Sequence, residues 1–296
     1  MRIGLDLGGT KTSGILMNQN GEILARHRVE SPRGDYQATL FMLRDLVRHL
    51  AGDTRGLIHV GIGIPGSISP ATGLVKNANS TWLIGKPLLQ DVTQILGRPV
   101  RIANDADCFA LSEAVDGAGA GYRTVFGVIL GTGVGAGIVS NGALLNGPNA
   151  IAGEWGHNPL PWATPGSDPA LPCYCGKSGC IETYLSGPGL AKHHARTSEE
   201  IVPADTIARA DSPHRQASLN LYANRLARAL SHVINILDPD AIVLGGGLSG
   251  IQSLYKDVPT LWGKYVFSDT VSTPLLCHKH GPDSGVRGAA WLWPAQ

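Results

Sequence analysis

The stretch Ile3-Gly4-Leu5-Asp6-Leu7-Gly8-Gly9-Thr10-Lys11 is an apolar strand that carries one acid and runs into a glycine turn. Thr12 to Met17 follows as a second strand. Asn20-Gly21 is a hairpin signal, after which Glu22 to Val29 returns as a third strand. The opening of the chain therefore predicts three consecutive strands joined by short turns.

The same unit recurs 123 residues later without a gap. Five positions repeat, since Gly4, Leu7, Gly8, Gly14 and Ile15 fall on Gly127, Leu130, Gly131, Gly137 and Ile138. Asn141-Gly142 again closes the hairpin. Two copies of one supersecondary unit predict two similar lobes. We place an N-terminal lobe at residues 1–116 and a C-terminal lobe at residues 117–296, with a C-terminal helix able to pack back on the first lobe.

The rest of the chain alternates between apolar strands and helical stretches, which predicts an α/β fold. The first helix, Asp35 to Ala51, has an apolar face of Leu40, Leu43, Leu46, Val47 and Leu50. Further strands are predicted at 57–64, 100–103 and 241–244, and further helices at 86–96, 107–115, 215–236, 248–261 and 288–292. Ligands of α/β folds bind at the carboxyl ends of strands. Asp6, Asn104-Asp105, Gly131 and Gly245 all stand at such ends.

Composition excludes several classes of protein. The chain has 296 residues, 43% hydrophobic and 16% charged, with a net charge of +1, so no basic surface for nucleic acid or for an anionic membrane is expected. The longest apolar run, Val125 to Val139, is broken by glycines and is too short to span a bilayer. The first strand begins at Ile3, which leaves no room for a signal peptide. With five cysteines, these features predict a cytoplasmic protein.

A second organising stretch runs from Gly153 to Glu182 and holds three of the five cysteines within eight residues. Cys173, Cys175 and Cys180 lie on a turn that Gly176 and Gly179 allow, and His157 lies just upstream. A Cys₃His set is typical of structural Zn²⁺. The alternative is three reduced cysteines in a loop. Glu154 and Glu182 flank the cluster and could hold hydroxyl groups.

Two glycine turns follow apolar strands, Gly8-Gly9-Thr10-Lys11 and Gly131-Thr132-Gly133. Glycine lets backbone N–H groups approach phosphate oxygens, and threonine adds a hydroxyl donor, so each turn could hold one end of a phosphate chain. Glycine also shapes ordinary hairpins. A third glycine surface, Gly245-Gly246-Gly247, would suit a flat adenosine or be an ordinary strand-to-helix turn. Neither a Walker A loop nor a dinucleotide-binding fingerprint is present in the sequence.

Two acids at strand ends are the candidates for chemistry. Asp6 precedes the first glycine turn, where it could orient Mg²⁺ through water beside the phosphates. Asp105 could accept the proton of an attacking hydroxyl, and Asn104 could hydrogen-bond a neighbouring hydroxyl. The alternative for Asn104-Asp105 is a helix N-cap.

These residues resemble the ROK family of bacterial sugar kinases over essentially the whole chain. The resemblance is carried by Asp6 to Lys11, Pro65-Gly66, Asn104-Asp105, Gly131 to Gly133, Glu154 to His157 and the cysteine cluster ending in Glu182. Within the family, the chain looks most like the enteric fructokinases, also called mannofructokinases. That closer match is carried by Lys76-Asn77-Ala78-Asn79-Ser80-Thr81-Trp82, Asn158-Pro159-Leu160-Pro161-Trp162 and Gly285-Val286-Arg287-Gly288-Ala289-Ala290-Trp291-Leu292-Trp293.

The resemblance implies an actin-like ATPase (ribonuclease H-like) fold with a ligand cleft between its two lobes. It implies that Asp105 is the catalytic base, and that sugar is held by Gly66, Asn104, Asp105, Glu154, His157 and Glu182. His157 would bind zinc through one ring nitrogen and face the sugar with the other. Asp107 stands where many members have asparagine, so two neighbouring acids could raise the pKa of one of them.

Three functions compete at this point. The first is ATP-dependent phosphorylation of a free hexose, with fructose at its 6-hydroxyl favoured, mannose weaker, and glucose or N-acetylhexosamines as alternatives. The second is a sugar-responsive regulator, which would need a DNA-binding domain ahead of Ile3 and a basic surface. The third, an actin-like structural ATPase, would not need the sugar carboxylates. The kinase hypothesis implies ATP, Mg²⁺ and a hexose as ligands, and it leaves a homodimer open.

Overall fold

The computed structural model describes residues 1–54 and 56–294. In the first sheet, the three predicted strands form an antiparallel meander and two later strands add in parallel, in the order β3-β2-β1-β4-β7. Its strands are β1 (Arg2–Leu7), β2 (Lys11–Met17), β3 (Ile23–Glu30), β4 (His59–Ile64) and β7 (Val100–Asn104). A short hairpin of β5 (Ser67–Ile68) and β6 (Val75–Lys76) follows β4. The predicted meander is therefore confirmed.

The second sheet repeats this arrangement, with the order β10-β9-β8-β11-β12. Again three antiparallel strands are followed by two parallel ones. The strands are β8 (Thr124–Leu130), β9 (Val134–Ser140), β10 (Ala143–Leu144), β11 (Ala241–Gly245) and β12 (Leu275–Cys277). The repeat seen in the sequence thus corresponds to two equivalent sheets.

Helices cover the sheets. They are α1 (Tyr36–Ala51), α2 (Leu88–Leu96), α3 (Asp105–Val115), α4 (Glu182–Leu185), α5 (Gly187–Ser198), α6 (Ala204–Ile207), α7 (Pro213–Leu237), α8 (Leu254–Trp262) and α9 (Ser284–Trp291). Asp35 caps α1 by accepting a hydrogen bond from the Ala38 N–H, and the predicted apolar face of α1 is buried. The predicted helix over 248–261 was wrong in its first part. A 3₁₀ turn occupies Gly247–Gly250, and the extended Ile251 interrupts the helix before α8 begins.

Two helices cross between the sheets. Although α3 directly follows β7 of the first sheet, it packs mainly on β8 and β9 of the second. The equivalent helix α9 packs on β1 and β4 of the first sheet and against α3. Gly288 permits this crossing, because a β-carbon there would collide with the Cys108 carbonyl oxygen. The lobe boundary between residues 116 and 117 stays a prediction, since these helices connect both halves.

Each sheet has its own apolar core, with the larger one between the second sheet and α4 to α8. Within residues 1–54 and 56–294, no helix combines the length and the hydropathy that a membrane crossing requires. The packing of α3 on β8 and β9 brings the carboxyl end of β7 and the turn that joins β8 and β9 to one cleft.

Candidate active site in the cleft between the sheets

A cleft of about 570 Å³ lies where these strand ends meet. It brings together most of the residues that the sequence predicted for sugar and phosphate. Its lining consists of Pro65, Gly66, Asn77, Asn79, Asn104, Asp105, Ala106, Ile129, Gly131, Thr132, Gly133, Val134, Gly135, Ala136, Gly153, Glu154, His157, Tyr174, Cys175 and Glu182.

Asp105 lies at the junction of β7 and α3, with its side chain open to the cleft. Its Oδ1 accepts a hydrogen bond from the Ala106 N–H at 2.8 Å. Asn104 is the N-cap of α3, so the helix-cap alternative is realised, and its Oδ1 also accepts from Ala106 N–H at 2.8 Å. Both residues nevertheless line the cleft, so capping and ligand contact are compatible here.

The surroundings of Asp105 raise its pKa to about 6. Removal from bulk water between the two lobes is the main cause, and the negative charges of Asp6 and Glu154 add to it. The pKa of Asp107 is raised to about 7, first by burial and then by the charges of Asp105 and Glu154. A carboxylate with a pKa near 6 is ionised at neutral pH and remains a competent proton acceptor.

Gly66 shapes the wall beside Asn104. It has a φ of +84°, which other residues rarely adopt, and a β-carbon there would lie only 2.4 Å from the Lys76 carbonyl oxygen. Its own carbonyl oxygen accepts a hydrogen bond from Asn104 Nδ2 at 3.1 Å. Gly66 therefore holds the Asn104 amide in place. A direct contact between Gly66 and the sugar stays a prediction.

The turn Gly131-Thr132-Gly133, between β8 and β9, also lines the cleft. Glu182, at the start of α4, accepts a hydrogen bond from Val134 N–H through Oε2 at 3.0 Å. This bond ties the carboxylate to the turn. The phosphate-type turn and Glu182 thus lie side by side in the cleft lining that also includes Asp105.

The first glycine turn, Gly8 to Lys11, is absent from the described lining of this cleft. Ser31 supports the turn, donating a hydrogen bond through Oγ to the Gly8 carbonyl oxygen at 2.7 Å and contacting Thr12 Oγ1 at 2.8 Å. Asp6 lies against Gly285 in the first turn of α9, and burial raises its pKa. The charge of Asp6 contributes to the raised pKa of Asp105, so the residue before this turn lies close to the cleft although the turn is outside the described lining.

The glycines after β11 also stand outside the cleft lining. Gly245 packs against the Phe109 ring and Gly246 against the Leu130 backbone, while Gly247 faces open space. Leu130 is the residue before the second glycine turn. The Gly245 to Gly247 segment therefore adjoins the phosphate-type turn, and its contact with an adenosine stays a prediction.

The four predicted metal ligands come together. Ligand atoms of His157, Cys173, Cys175 and Cys180 all lie within 4.8 Å of one another. Cys173 Sγ is 3.6 Å from His157 Nδ1, and Cys175 Sγ is 3.6 Å from Cys180 Sγ. Zn–S bonds of about 2.3 Å place neighbouring ligands of a tetrahedron about 3.7 Å apart, so the donor types and spacing both fit a four-coordinate Zn²⁺.

Sequence reasoning missed three polar residues of the cleft as site residues: Asn77, Asn79 and Tyr174. The asparagines follow the β5–β6 hairpin, and Lys76 in that hairpin donates to the Asn149 carbonyl oxygen of the other lobe at 2.8 Å. Tyr174 Oη lies 3.0 Å from His157 Nε2, the nitrogen that was expected to face the sugar. The only signal for Tyr174 was its place between two metal ligands.

Known proteins resemble this chain along its whole length. A sequence profile of the ROK family matches residues 2–296. The N-acetyl-D-glucosamine kinase of Yersinia pseudotuberculosis is 39% identical over 305 residues, covering 100% of both chains. The N-acetyl-D-glucosamine kinase of Pectobacterium atrosepticum is 39% identical over 299 residues, covering 99% of this chain and 98% of the relative.

Solved structures agree with this. The ROK hexokinase of Thermus thermophilus superposes with a TM-score of 0.84 at 26% identity, covering 97% of this chain and 96% of the other. A ROK family glucokinase of Streptomyces griseus, in complex with glucose and AMPPNP, gives 0.78 at 27% identity and covers 98% of both chains. The relatives named above are sugar kinases. The predicted two-lobed α/β fold is confirmed, and the chain belongs to the ROK family.

Proposed function

We propose that this ROK-family enzyme transfers the γ-phosphoryl group of ATP to a primary hydroxyl of a free hexose, with D-fructose preferred and D-mannose weaker. The observation that carries the phosphotransferase activity is the position of Asp105. Its carboxylate opens into a cleft that is also lined by the glycine turn Gly131 to Gly133 and by the candidate hydroxyl-binding carboxylates Glu154 and Glu182. An acceptor hydroxyl between them could lose its proton to Asp105 while facing a phosphate.

In this mechanism, Asp105 accepts the proton of the attacking hydroxyl, and the γ-phosphoryl group passes in line to the sugar oxygen. Backbone N–H groups of Thr132 and Gly133 would stabilise the negative charge on the phosphate oxygens, whereas the Gly131 N–H donates to the Gly133 carbonyl oxygen at 3.0 Å and closes the turn. Asn104, Glu154, His157 and Glu182 would position the sugar. Closure of the lobes, across which Lys76 already contacts Asn149, would exclude water from the reaction.

The nucleotide would lie between the two glycine turns, Gly8 to Lys11 and Gly131 to Gly133, with its adenosine on Gly245 to Gly247. Mg²⁺ fits beside Asp6, because a hard cation would offset the mutual repulsion of Asp6 and Asp105. Bound Mg²⁺ neutralises charge on the phosphates. AMPPNP in the Streptomyces griseus glucokinase supports ATP as the phosphoryl donor.

The Cys₃His cluster would hold a structural Zn²⁺. Four protein ligands leave no position for water, so the ion would fix the loop rather than take part in the transfer. A hexose and ATP are the expected partners, neither nucleic acid nor membrane is expected, and a cytoplasmic location and a homodimer stay predictions.

Two acceptor sugars have support. Fructose is favoured by the fructokinase-like segments at residues 76–82, 158–162 and 285–293. N-acetyl-D-glucosamine is the second candidate, because kinases of that name are 39% identical to the whole chain. The hydroxyl-binding carboxylates suit either sugar.

A coupled ADP-release assay over fructose, mannose, glucose, N-acetyl-D-glucosamine and N-acetyl-D-mannosamine tests the proposal. We expect fructose to give the highest kcat/KM. A tenfold preference for glucose or for an N-acetylhexosamine would overturn the assignment of fructose while leaving the kinase. Turnover of none of the sugars by folded enzyme with Mg²⁺ and ATP would overturn the kinase itself.

A further inference from the structure

We propose that Tyr174 is a specificity-determining residue, whose phenol ring narrows the sugar end of the cleft and disfavours hexoses with a bulky acetamido substituent. This inference rests on the proposed hexose kinase activity. It concerns a side chain that lies outside the set of sugar ligands predicted from the sequence.

The backbone of Tyr174 is held in place by its neighbours. It lies between Cys173 and Cys175, in a turn closed by hydrogen bonds from Cys173 N–H to the Lys177 carbonyl at 2.8 Å and from Gly176 N–H to the Cys173 carbonyl at 3.1 Å. The side chain is 75% exposed, and it lines the cleft. A large aromatic that faces a polar cleft instead of a core is placed to meet a ligand.

The ring is also oriented. Tyr174 Oη and His157 Nε2 are 3.0 Å apart, and the two rings meet edge to face, with centroids 5.1 Å apart at 88°. His157 is fixed in turn by the 3₁₀ turn Trp155–His157 and by the contact of Nδ1 with Cys173 Sγ. Tyr174 thus borders the His157 nitrogen on the side of the cleft, where a sugar hydroxyl that binds His157 would also meet the phenol.

The consequence is steric. Glu154 and Glu182 line the same cleft as Tyr174 and can accept hydrogen bonds from sugar hydroxyls, as the phenol hydroxyl can. An acetamido group is several atoms larger than a hydroxyl and brings a methyl group that none of these polar groups would bind. Where this substituent meets the ring, it would either displace the phenol from His157 or shift the sugar away from Asp105.

The test compares Tyr174→Ala with Tyr174→Phe, which keeps the ring and removes the hydroxyl. Lys177→Ala, exposed in the same turn and outside the cleft lining, is the matched control. We measure kcat and KM for fructose and N-acetyl-D-glucosamine, together with sugar affinity by calorimetry. We expect Tyr174→Ala to shift the ratio of the two kcat/KM values toward the acetamido sugar by about 10- to 100-fold, mostly through KM. Tyr174→Phe and Lys177→Ala should shift the ratio less than about threefold.

A ratio unchanged in Tyr174→Ala, with a wild-type enzyme that phosphorylates hexoses, would overturn the role of Tyr174 and leave the kinase standing. An equal shift in Tyr174→Phe would overturn the steric explanation in favour of the hydroxyl. An equal loss for both sugars in Tyr174→Ala would show that the residue only maintains the loop. A wild type that phosphorylates no hexose removes both proposals.

Discussion

The two sheets share one strand order, yet the carboxyl ends of their equivalent strands carry different residues and make different contacts. In the first lobe, β7 ends at Asn104 and delivers Asp105 to the cleft. In the second lobe, the equivalent strand β12 ends at Cys277, and the chain that follows is folded against Glu113 of α3. Duplication therefore explains the architecture of both lobes, whereas the carboxylate open to the cleft occurs at only one of these two ends.

The glycine turns differ as well. Leu7 pairs with Thr12 across a four-residue turn, but Leu130 pairs with Val134 across a three-residue turn. The tighter turn forms the cleft wall and binds Glu182, and the wider one lies beside Asp6 and is supported by Ser31. The two lobes also diverge after their meanders, because within residues 1–54 and 56–294 only the second carries a long loop with a cysteine cluster, at residues 153–182. Three of the six proposed sugar ligands, Glu154, His157 and Glu182, come from that added loop.

Asp105→Asn is the strongest test of the difference between the two strand ends. The fold should persist, because asparagine can still accept from Ala106 N–H, while kcat should fall by about 10²–10⁴ through loss of the general base. Steady-state kinetics with fructose and ATP, beside circular dichroism, measure both. Asp107→Asn is the control and should lose much less. Near-normal turnover by folded Asp105→Asn would remove the proposed asymmetry between the lobes.

At the equivalent strand end of the second lobe, a substitution should lower the stability of the fold rather than the catalytic rate. Glu113 is fully buried, and its carboxylate accepts hydrogen bonds from the N–H groups of Ala118, Lys279 and His280 and from Ser284 Oγ. Burial raises its pKa, but these four hydrogen bonds outweigh that effect and hold the pKa below its usual value. Glu113→Ala should lower the free energy of unfolding by about 2–4 kcal/mol, because it leaves buried donors unpaired.

Urea denaturation measures the effect of Glu113→Ala, and Glu30→Ala on the exposed edge strand β3 is its control, with an expected change below about 0.5 kcal/mol. If Glu113→Ala unfolds like wild type but loses kcat, the second strand end takes part in catalysis and the comparison fails.

The sequence predicts those features of this molecule that depend on residues close together in the chain. The first meander, its repeat, the apolar face of α1 and the clustering of Cys173, Cys175 and Cys180 follow from nearby residues, and the structure reproduces them. The positions of Asn77, Asn79 and Tyr174 depend on how the β5–β6 hairpin and the cysteine loop close over the cleft. The crossing of α3 and α9 joins residues about 180 apart in sequence, so periodicity within either helix could not reveal it.

A smaller effect is expected from pH. If Asp105 is the base, kcat/KM for the sugar should be constant above its pKa of about 6 and should fall as pH drops below it, since only the ionised carboxylate accepts a proton. At pH 5 the loss should be about tenfold. A pH profile of Asp107→Asn separates the two acids, because an inflection near 6 should remain after the group with a pKa of about 7 is removed. A flat profile down to pH 5 would contradict the role of Asp105.

The smallest effect on rate is expected from the loop that only the second lobe has. Cys175→Ser should weaken retention of the metal and lower stability, because serine is a poor ligand for zinc. Since Glu154, His157 and Glu182 would be repositioned but not removed, KM for the sugar should rise about 3- to 10-fold with kcat less affected. Nucleotide affinity should persist, because the glycine turns lie on the two sheets rather than on this loop.

Metal analysis, sugar kinetics and nucleotide titration of the same preparations measure these effects. Cys277→Ser is the matched control, since that exposed cysteine stands apart from the cluster. Purified enzyme that contains no zinc and is fully active would remove the metal from the mechanism. An unchanged sugar KM in Cys175→Ser would instead make the loop a support for folding alone.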